Sequence, residues 1–471
     1  MSNRIGKNRK DDGERSRWSS INRVLGGSRK GRHNFTNLSI YAFGLSGVWT
    51  GVGAGILPFK VLESLEAGRV EILGYNLDKN GALGMLSLLG LAVAAAVQLG
   101  AGSLSDRDSR LGRRLPFLIL GATGLAIVTM VFGFATSFVA LLMAIAAMQM
   151  FGNFGQGPAN ALIIDHVPAD QRGEAAGVLN LWRLLGAGSV TVIVLQFMAR
   201  YDADDSPEWL WYSIILMITV LIVSTVWTVR AIRPASGLFI PSFKRSPKTS
   251  ATKLQIDDSP LPENQKISGS YIAFLVALAF AIAAMSSMQI YALFFLQDVV
   301  GLENPADGAD ILVIVIVVSA GLTVLPAGYL SDRIGRTSLF IVAGATGVAS
   351  SLMLLLVSSI GPVLAVGVVV GIAVGLFMTL TWAVANDLVS RASAAKELGY
   401  TSIATLAGAA VARFAGIGID ELNDVSENLG YKAILVSVAI AFALASIILA
   451  KIANNPGHVE PTVEPEPAPV I

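Results

Sequence analysis

Cysteine is absent from all 471 residues, which excludes a disulfide framework and a thiolate metal site. Histidine is nearly as scarce: His33, His166 and His458 are scattered and suggest no metal cluster. Charge is thin too, at 14% of residues, where soluble domains carry about 25%. Hydrophobic residues make up 54% of the chain and the mean hydropathy is +0.64, so the chain belongs in a membrane. No Walker motif or dinucleotide fingerprint precedes a helix, so ATP-driven work has no support within this sequence. A catalytic constellation is missing as well, and an enzyme is not expected. Neither a cofactor nor a nucleic-acid partner is expected.

What the chain does have is long apolar runs. A helix needs roughly 20 apolar residues to cross the hydrocarbon. Twelve runs qualify: 36–60, 82–104, 115–135, 138–164, 173–199, 209–231, 269–297, 310–331, 338–359, 361–388, 397–418 and 431–453. Lys and Arg fix the expected orientation, because cytoplasmic segments carry an excess of them. With the N-terminus inside, 27 fall on the cytoplasmic side and five (Lys60, Arg69, Lys79, Arg200, Lys432) on the outer side. Both termini are therefore expected in the cytoplasm of a multi-pass cell-membrane protein. Residues 1–34 carry ten Lys/Arg and no apolar core, and read as a basic cytoplasmic tail rather than a signal peptide. Residues 35–232 and 269–454 read as two six-helix halves. Between them, 233–268 is a Pro-, Ser- and charge-rich cytoplasmic linker. Residues 455–471 read as a disordered acidic, proline-rich tail.

The halves are related in sequence. Gly102-Ser-Leu-Ser-Asp106-Arg107-Asp-Ser-Arg110-Leu-Gly112-Arg113 returns as Gly328-Tyr-Leu-Ser-Asp332-Arg333-Ile-Gly335-Arg336, with Asp332 trailing Asp106 by 226 residues. Both strings sit in short charged gaps, which must lie at the bilayer surface. Asp165 and Asp387 end the fourth and tenth runs 222 residues apart, and Arg113 and Arg336 are 223 apart, the first loop being three residues longer. Such a period is too long for a solenoid unit. It fits the duplicated halves of a secondary transporter.

Twelve spans, a central loop and Gly-x-x-x-Asp-Arg-x-Gly-Arg after spans 2 and 8 resemble the major facilitator superfamily over roughly residues 35–455. Gln98, the loop Ser-Asp106-Arg107-x-Ser-Arg110-x-Gly112-Arg113-Arg114-x-Pro116-Phe117, and Gln156-Gly157-Pro158-x-x-Ala161-Leu162-x-x-Asp165 resemble the sucrose/proton symporters and their bacterial relatives. The loop is also similar to that of glycoside–pentoside–hexuronide symporters. The chain departs from the symporters at Leu99 (proline there), Leu115 (a third arginine) and Asn160 (arginine in plant sucrose carriers). Sodium-coupled melibiose-type permeases favour a carboxylate near Gln98. The resemblance implies an all-α fold of two pseudo-symmetric halves and uptake of a sugar or glycoside by alternating access, driven by the proton gradient. It implies a monomer in the lipid bilayer. The alternative within this fold is proton-coupled efflux. Drug antiporters carry Arg-x-x-Gln-Gly in span 4, where Asn153 stands here, and a Gly-Pro motif in span 5, where 173–199 has no proline.

Each candidate has a physical reason. Gly102, Asp106, Arg107, Gly112 and Arg113, with Gly328, Asp332, Arg333, Gly335 and Arg336, would form a charge latch between the halves at the cytoplasmic surface. Arg183 lies about 15 Å into span 5 at 1.5 Å per residue. An arginine so deep costs at least about 2.5 kcal/mol, so it should face a cavity and a carboxylate. Asp165 and Asp387 are the proton-carrier candidates, and the sucrose-symporter resemblance implicates Asp165 in coupling. A sugar wants amides and flat rings. Gln98, Asn153, Gln156, Asn160 and Asn180 would supply amides from the first half, with Trp49 and Trp182 to stack. Gln289, Tyr291, Trp382 and Asn386 would form the facing wall. Arg413 reads as close enough to the outer loop to snorkel.

Overall fold

The computed structural model describes residues 35–72, 75–107, 115–167, 172–204, 206–232, 269–388 and 394–454. Among them are twelve helices long and apolar enough to cross a membrane. With no water in the hydrocarbon to satisfy backbone groups, an unbroken run of apolar side chains folds as helix. Spans 1 to 6 are Phe35–Glu66, Lys79–Arg107, Leu115–Gly133, Phe138–His166, Arg172–Asp204 and Glu208–Ile232. Spans 7 to 12 are Gly269–Ile290, Pro305–Ile334, Arg336–Leu354, Ile360–Leu388, Ala394–Val425 and Leu429–Asn454.

Several helices outrun their apolar runs, because polar residues prolong a helix beyond the hydrocarbon at no cost to its backbone bonds. Span 1 continues through Lys60, expected in an outer loop. Lys60 is instead 4% exposed and pairs with Glu63 at 2.9 Å. Glu63 also accepts from the Tyr201 hydroxyl of span 5. Span 11 runs to Val425, which puts Arg413 twelve residues, roughly 18 Å, from that end. Arg413 therefore does not snorkel: it donates to the Ala409 carbonyl at 2.7 Å. The seventh run is broken at Tyr291 (φ −96°, ψ 4°), after which a short helix, Ala292–Asp298, continues. Span 1 is irregular at Gly51–Ile56, a π-helical stretch of the kind found at functional sites.

Helix pairing repeats across the duplication. Span 1 packs on 5 and 6 as span 7 packs on 11 and 12. The pairs 2 with 4, 3 with 4, 3 with 6 and 5 with 6 recur as 8 with 10, 9 with 10, 9 with 12 and 11 with 12. The halves join chiefly through spans 2 and 11 and through spans 5 and 8, contacts that exchange when the halves are exchanged. Small residues permit the closest approaches, as expected in lipid. A Cβ on Gly121 of span 3 would stand 2.7 Å from the Gly155 Cα of span 4.

A two-stranded antiparallel hairpin, β1 (Val70–Ile72) and β2 (Tyr75–Leu77), pairs Val70 with Leu77 and Ile72 with Tyr75 between spans 1 and 2. It marks one face of the molecule, the hairpin face. The C-terminal ends of spans 2 and 8, at Arg107 and Ile334, mark the other, the motif face.

Candidate functional site

Spans 1, 4 and 5 enclose a cleft with a cavity of about 30 Å³, lined by Tyr41, Ser46, Trp49, Gln156, Asn160 and Arg183 among apolar neighbours. That is about the space of one water and far below the roughly 300–1,000 Å³ typical of small-molecule sites, so a larger guest requires the cleft to widen, and the lining comes from one half only. Leu38, Tyr41, Ala42, Leu45, Ser46 and Trp49 form a stripe at helical spacing along span 1. Behind it, Thr191 of span 5 donates to Thr50 at 2.7 Å and Thr50 to the Ala187 carbonyl at 3.1 Å. Those bonds fix the register of span 1 on span 5.

Arg183 is eleven residues into span 5, roughly 16 Å along it. Its Nη2 donates to Oδ1 of Asn160 at 2.7 Å. Among the described side chains no carboxylate lines the cleft and Arg183 has no ion pair. Pro158 sits inside span 4. It has no N–H for the Phe154 carbonyl, so this turn of the helix loses a bond. Tyr41 is 1% exposed and its hydroxyl has no hydrogen-bond partner among the described residues. A buried hydroxyl without a partner costs about 1–3 kcal/mol. Gly152 lies flat against the Trp49 ring, where any Cβ would collide with it.

Four of the expected residues are thus brought together: Trp49, Gln156, Asn160 and Arg183. Others are placed elsewhere. Asn153 is buried and turns back along its own helix to the Gln149 carbonyl at 2.9 Å and to Gln149 Oε1 at 3.0 Å. Asn180 and Gln289 are exposed. Trp182 packs edge-on against Phe43, ring centroids 5.9 Å apart. Tyr291 is buried between the halves, donating to the Ala412 and Arg413 carbonyls at 3.0 Å each. Arg333 is exposed and Arg336 half-buried. Gly335, at φ +85°, makes the turn between spans 8 and 9 that other residues enter only with strain. Gln98, Gly102, Asp106, Arg107, Asp165, Gly328, Asp332, Trp382, Asn386 and Asp387 stand on helical backbone, with side chains outside the described set. Gly112 and Arg113 lie outside the described residues altogether.

Sequence reasoning passed over Tyr41 and Ser46. Their signal was the span 1 stripe ending in Trp49. It also passed over a polar network on the hairpin face. There Asp420 of span 11 accepts from the Gly81 amide at 2.6 Å and from Asn80 Nδ2 at 2.9 Å, both of span 2. Beside it Lys79 pairs with Asp298 at 2.5 Å, and Tyr431 of span 12 donates to Asp298 at 2.7 Å. At the other joint, Asn304 donates to the Ala199 carbonyl at 2.8 Å.

Residues 78–418 match the model of a family described as MFS/sugar transport protein. The multidrug resistance protein MdtG of Proteus mirabilis (strain HI4320) is 35% identical over 159 residues, 34% of this chain and 37% of that protein. The matched region thus spans little more than a third of that relative. Among solved structures, a bacterial homologue of the human lysosomal transporter Spinster, inward-facing and unoccupied, superposes with TM-score 0.63 at 16% identity, over 91% of this chain and 98% of the other. A bacterial homologue of the iron transporter ferroportin, also inward-facing, gives 0.64 at 12% identity over 89% and 98%. A peptide transporter, POT, gives 0.65 at 16% identity over 89% and 94%. At such identities the likeness is one of fold.

Proposed function

Because this chain belongs to the MFS/sugar transport protein family, we propose that it is a proton-coupled uptake carrier for a sugar or glycoside. It works by alternating access of its two six-helix halves. The observation that carries the reading is the cleft. Arg183, Asn160 and Gln156 present hydrogen-bonding groups beside Trp49. A sugar ring offers the matching surfaces, hydroxyls around its edge and an apolar face.

The joints described between the halves involve the hairpin-face ends of spans 2, 8 and 11, whereas the cleft residues lie toward the motif-face ends of spans 4 and 5. With the hairpin face outside, as the Lys/Arg distribution argues, this is the form that has closed outward and releases inward. The proton is carried on Asp165 or Asp387, and the duplicated Asp-Arg motifs hold the motif face shut in the opposite state. The carrier acts as a monomer in the cell membrane, without cofactor, on the proton gradient.

Uptake of a panel of radiolabelled mono- and disaccharides into proteoliposomes, with and without an inward pH gradient, tests the reading. Gradient-stimulated accumulation of one sugar supports it. No accumulation across the panel would overturn it. The second reading is proton-coupled efflux, favoured by the partial match to MdtG. It predicts that a protonophore raises, rather than abolishes, accumulation of the substrate in whole cells.

A further inference from the structure

We propose that Asp420 is a proton-operated clasp on the hairpin face: ionised, it holds the two halves together there; protonated, it lets them part. Both oxygens of this carboxylate are taken up by the other half. Oδ2 accepts from the Gly81 amide at 2.6 Å and Oδ1 from Asn80 Nδ2 at 2.9 Å. Span 2 begins at Lys79, so the Gly81 amide belongs to the first turn, whose N–H groups have no partner within the helix. The helix dipole favours an anion at this end. Asp420 thus caps span 2 from across the joint, at the interface that alternating access must break.

The bonds to Asp420 come from neutral groups. The nearby cation, Lys79, is engaged by Asp298 at 2.5 Å. The titratable groups that face Asp420 are Asp78 and Lys79 at the start of span 2, Tyr291 at the end of span 7, Asp298 on the short helix after it, and Tyr431 of span 12. Arg413 lies two turns away on span 11 itself. Asp78 adds negative charge near the carboxylate. The joint is lined by glycine where the main chains meet. A Cβ on Gly84 would fall on the Arg413 carbonyl, and one on Gly416 would stand 2.3 Å from the Asn80 carbonyl. This proximity is what lets a short aspartate reach the span 2 backbone.

A proton on either oxygen replaces an acceptor with a donor, facing the Gly81 N–H or the Asn80 amide. One cross-joint bond is then lost and the charge that favoured the helix end is removed. Acid on the hairpin side therefore biases the carrier toward the form open to that side. The second joint has its own acid, Asp310 of span 8, which interacts with Gln196 of span 5, so the switch at Asp420 acts on one of two fastenings.

The inference rests on the carrier reading only in requiring that the halves separate, and its test needs no substrate. The natural chain is free of cysteine, so Glu71→Cys on the hairpin and Glu427→Cys after span 11, both exposed, can be spin-labelled uniquely in the full-length protein. Pulsed electron–electron resonance at about pH 8 and about pH 5.5 then reads the separation of the halves. In the otherwise unchanged protein, the longer distance should gain at the lower pH. Asp420→Asn should show the longer distance at both, its open-to-closed ratio raised about ten- to hundred-fold at pH 8, as expected for loss of a charge-assisted hydrogen bond. Asn80→Ala keeps the carboxylate and removes one donor. It should favour the longer distance at pH 8 and still respond to acid. An Asp420→Asn distribution identical to that of the parent at pH 8 would overturn the proposal. If that variant does not fold, an unchanged distribution for Asn80→Ala does the same.

Discussion

Arg183 of span 5 donates to Asn160 of span 4 at 2.7 Å, and among the described side chains no acid lines the cleft they share. A guanidinium held by a neutral amide keeps most of its donors for a ligand. Arg183→Ala should lower uptake efficiency about ten- to hundred-fold, the effect of one hydrogen bond to a charged group worth about 1.5–3 kcal/mol. Asn160→Asp should lower it more than Asn160→Ala, because a carboxylate there would occupy the arginine permanently. Initial-rate kinetics in proteoliposomes compare the three. Equal activity of Asn160→Asp and the parent would contradict the assignment.

Tyr41→Phe separates binding from packing. The hydroxyl is buried and has no partner among the described residues, so its removal should leave thermal stability unchanged or raised. If the hydroxyl meets substrate, KM should rise about three- to tenfold, the effect of a neutral hydrogen bond of about 0.5–1.5 kcal/mol. A lower melting temperature with KM unchanged would mean that the hydroxyl serves the fold instead.

The fold was legible because the twelve apolar runs and the duplicated Asp-Arg loops are local features of the chain. The ends of the spans were not, since a helix that leaves the hydrocarbon continues in polar residues that hydropathy scores as loop. Lys60 was misplaced for this reason. Asp420 was overlooked because span 11 was expected to stop at 418. Within the cleft, Trp49, Gln156, Asn160 and Arg183 stood out as polar or aromatic groups in apolar helices. The same rule also drew in Asn180, Gln289 and Tyr291. What divides the two sets is the rotation of each helix about its axis, and helices apolar on nearly every side do not encode that rotation in their pattern.

The packing of spans 3 and 4 gives a stability test with an internal control. Gly121→Ala would put a methyl 2.7 Å from the Gly155 Cα, whereas Gly53→Ala, in the π-helical stretch, meets nothing within 4 Å. Overpacking against backbone costs about 1–3 kcal/mol. Gly121→Ala should therefore lower the melting temperature of the purified protein, while Gly53→Ala should leave it near the parent value. A fall in Gly53→Ala equal to that in Gly121→Ala would show that clash is not the cause.

The coupling ion is the last point, and it turns on a neutral residue. Gln98 stands near the position where melibiose-type sodium permeases favour a carboxylate, and an amide there offers a sodium ion no charge. In the proposed mechanism Asp165 and Asp387, near the ends of spans 4 and 10, are the proton carriers, since a carboxylate's proton affinity changes when its surroundings alternate between wet and dry. Uptake should rise with an inward proton gradient, collapse with a protonophore and be indifferent to replacing sodium with potassium. Asp165→Asn should abolish concentrative uptake while retaining downhill exchange, because a side chain fixed in its neutral form still allows the halves to alternate but can no longer tie that movement to a proton. Stimulation by sodium without any response to pH would rule out proton coupling. Concentrative uptake by Asp165→Asn at the parent rate would move the proton site to Asp387.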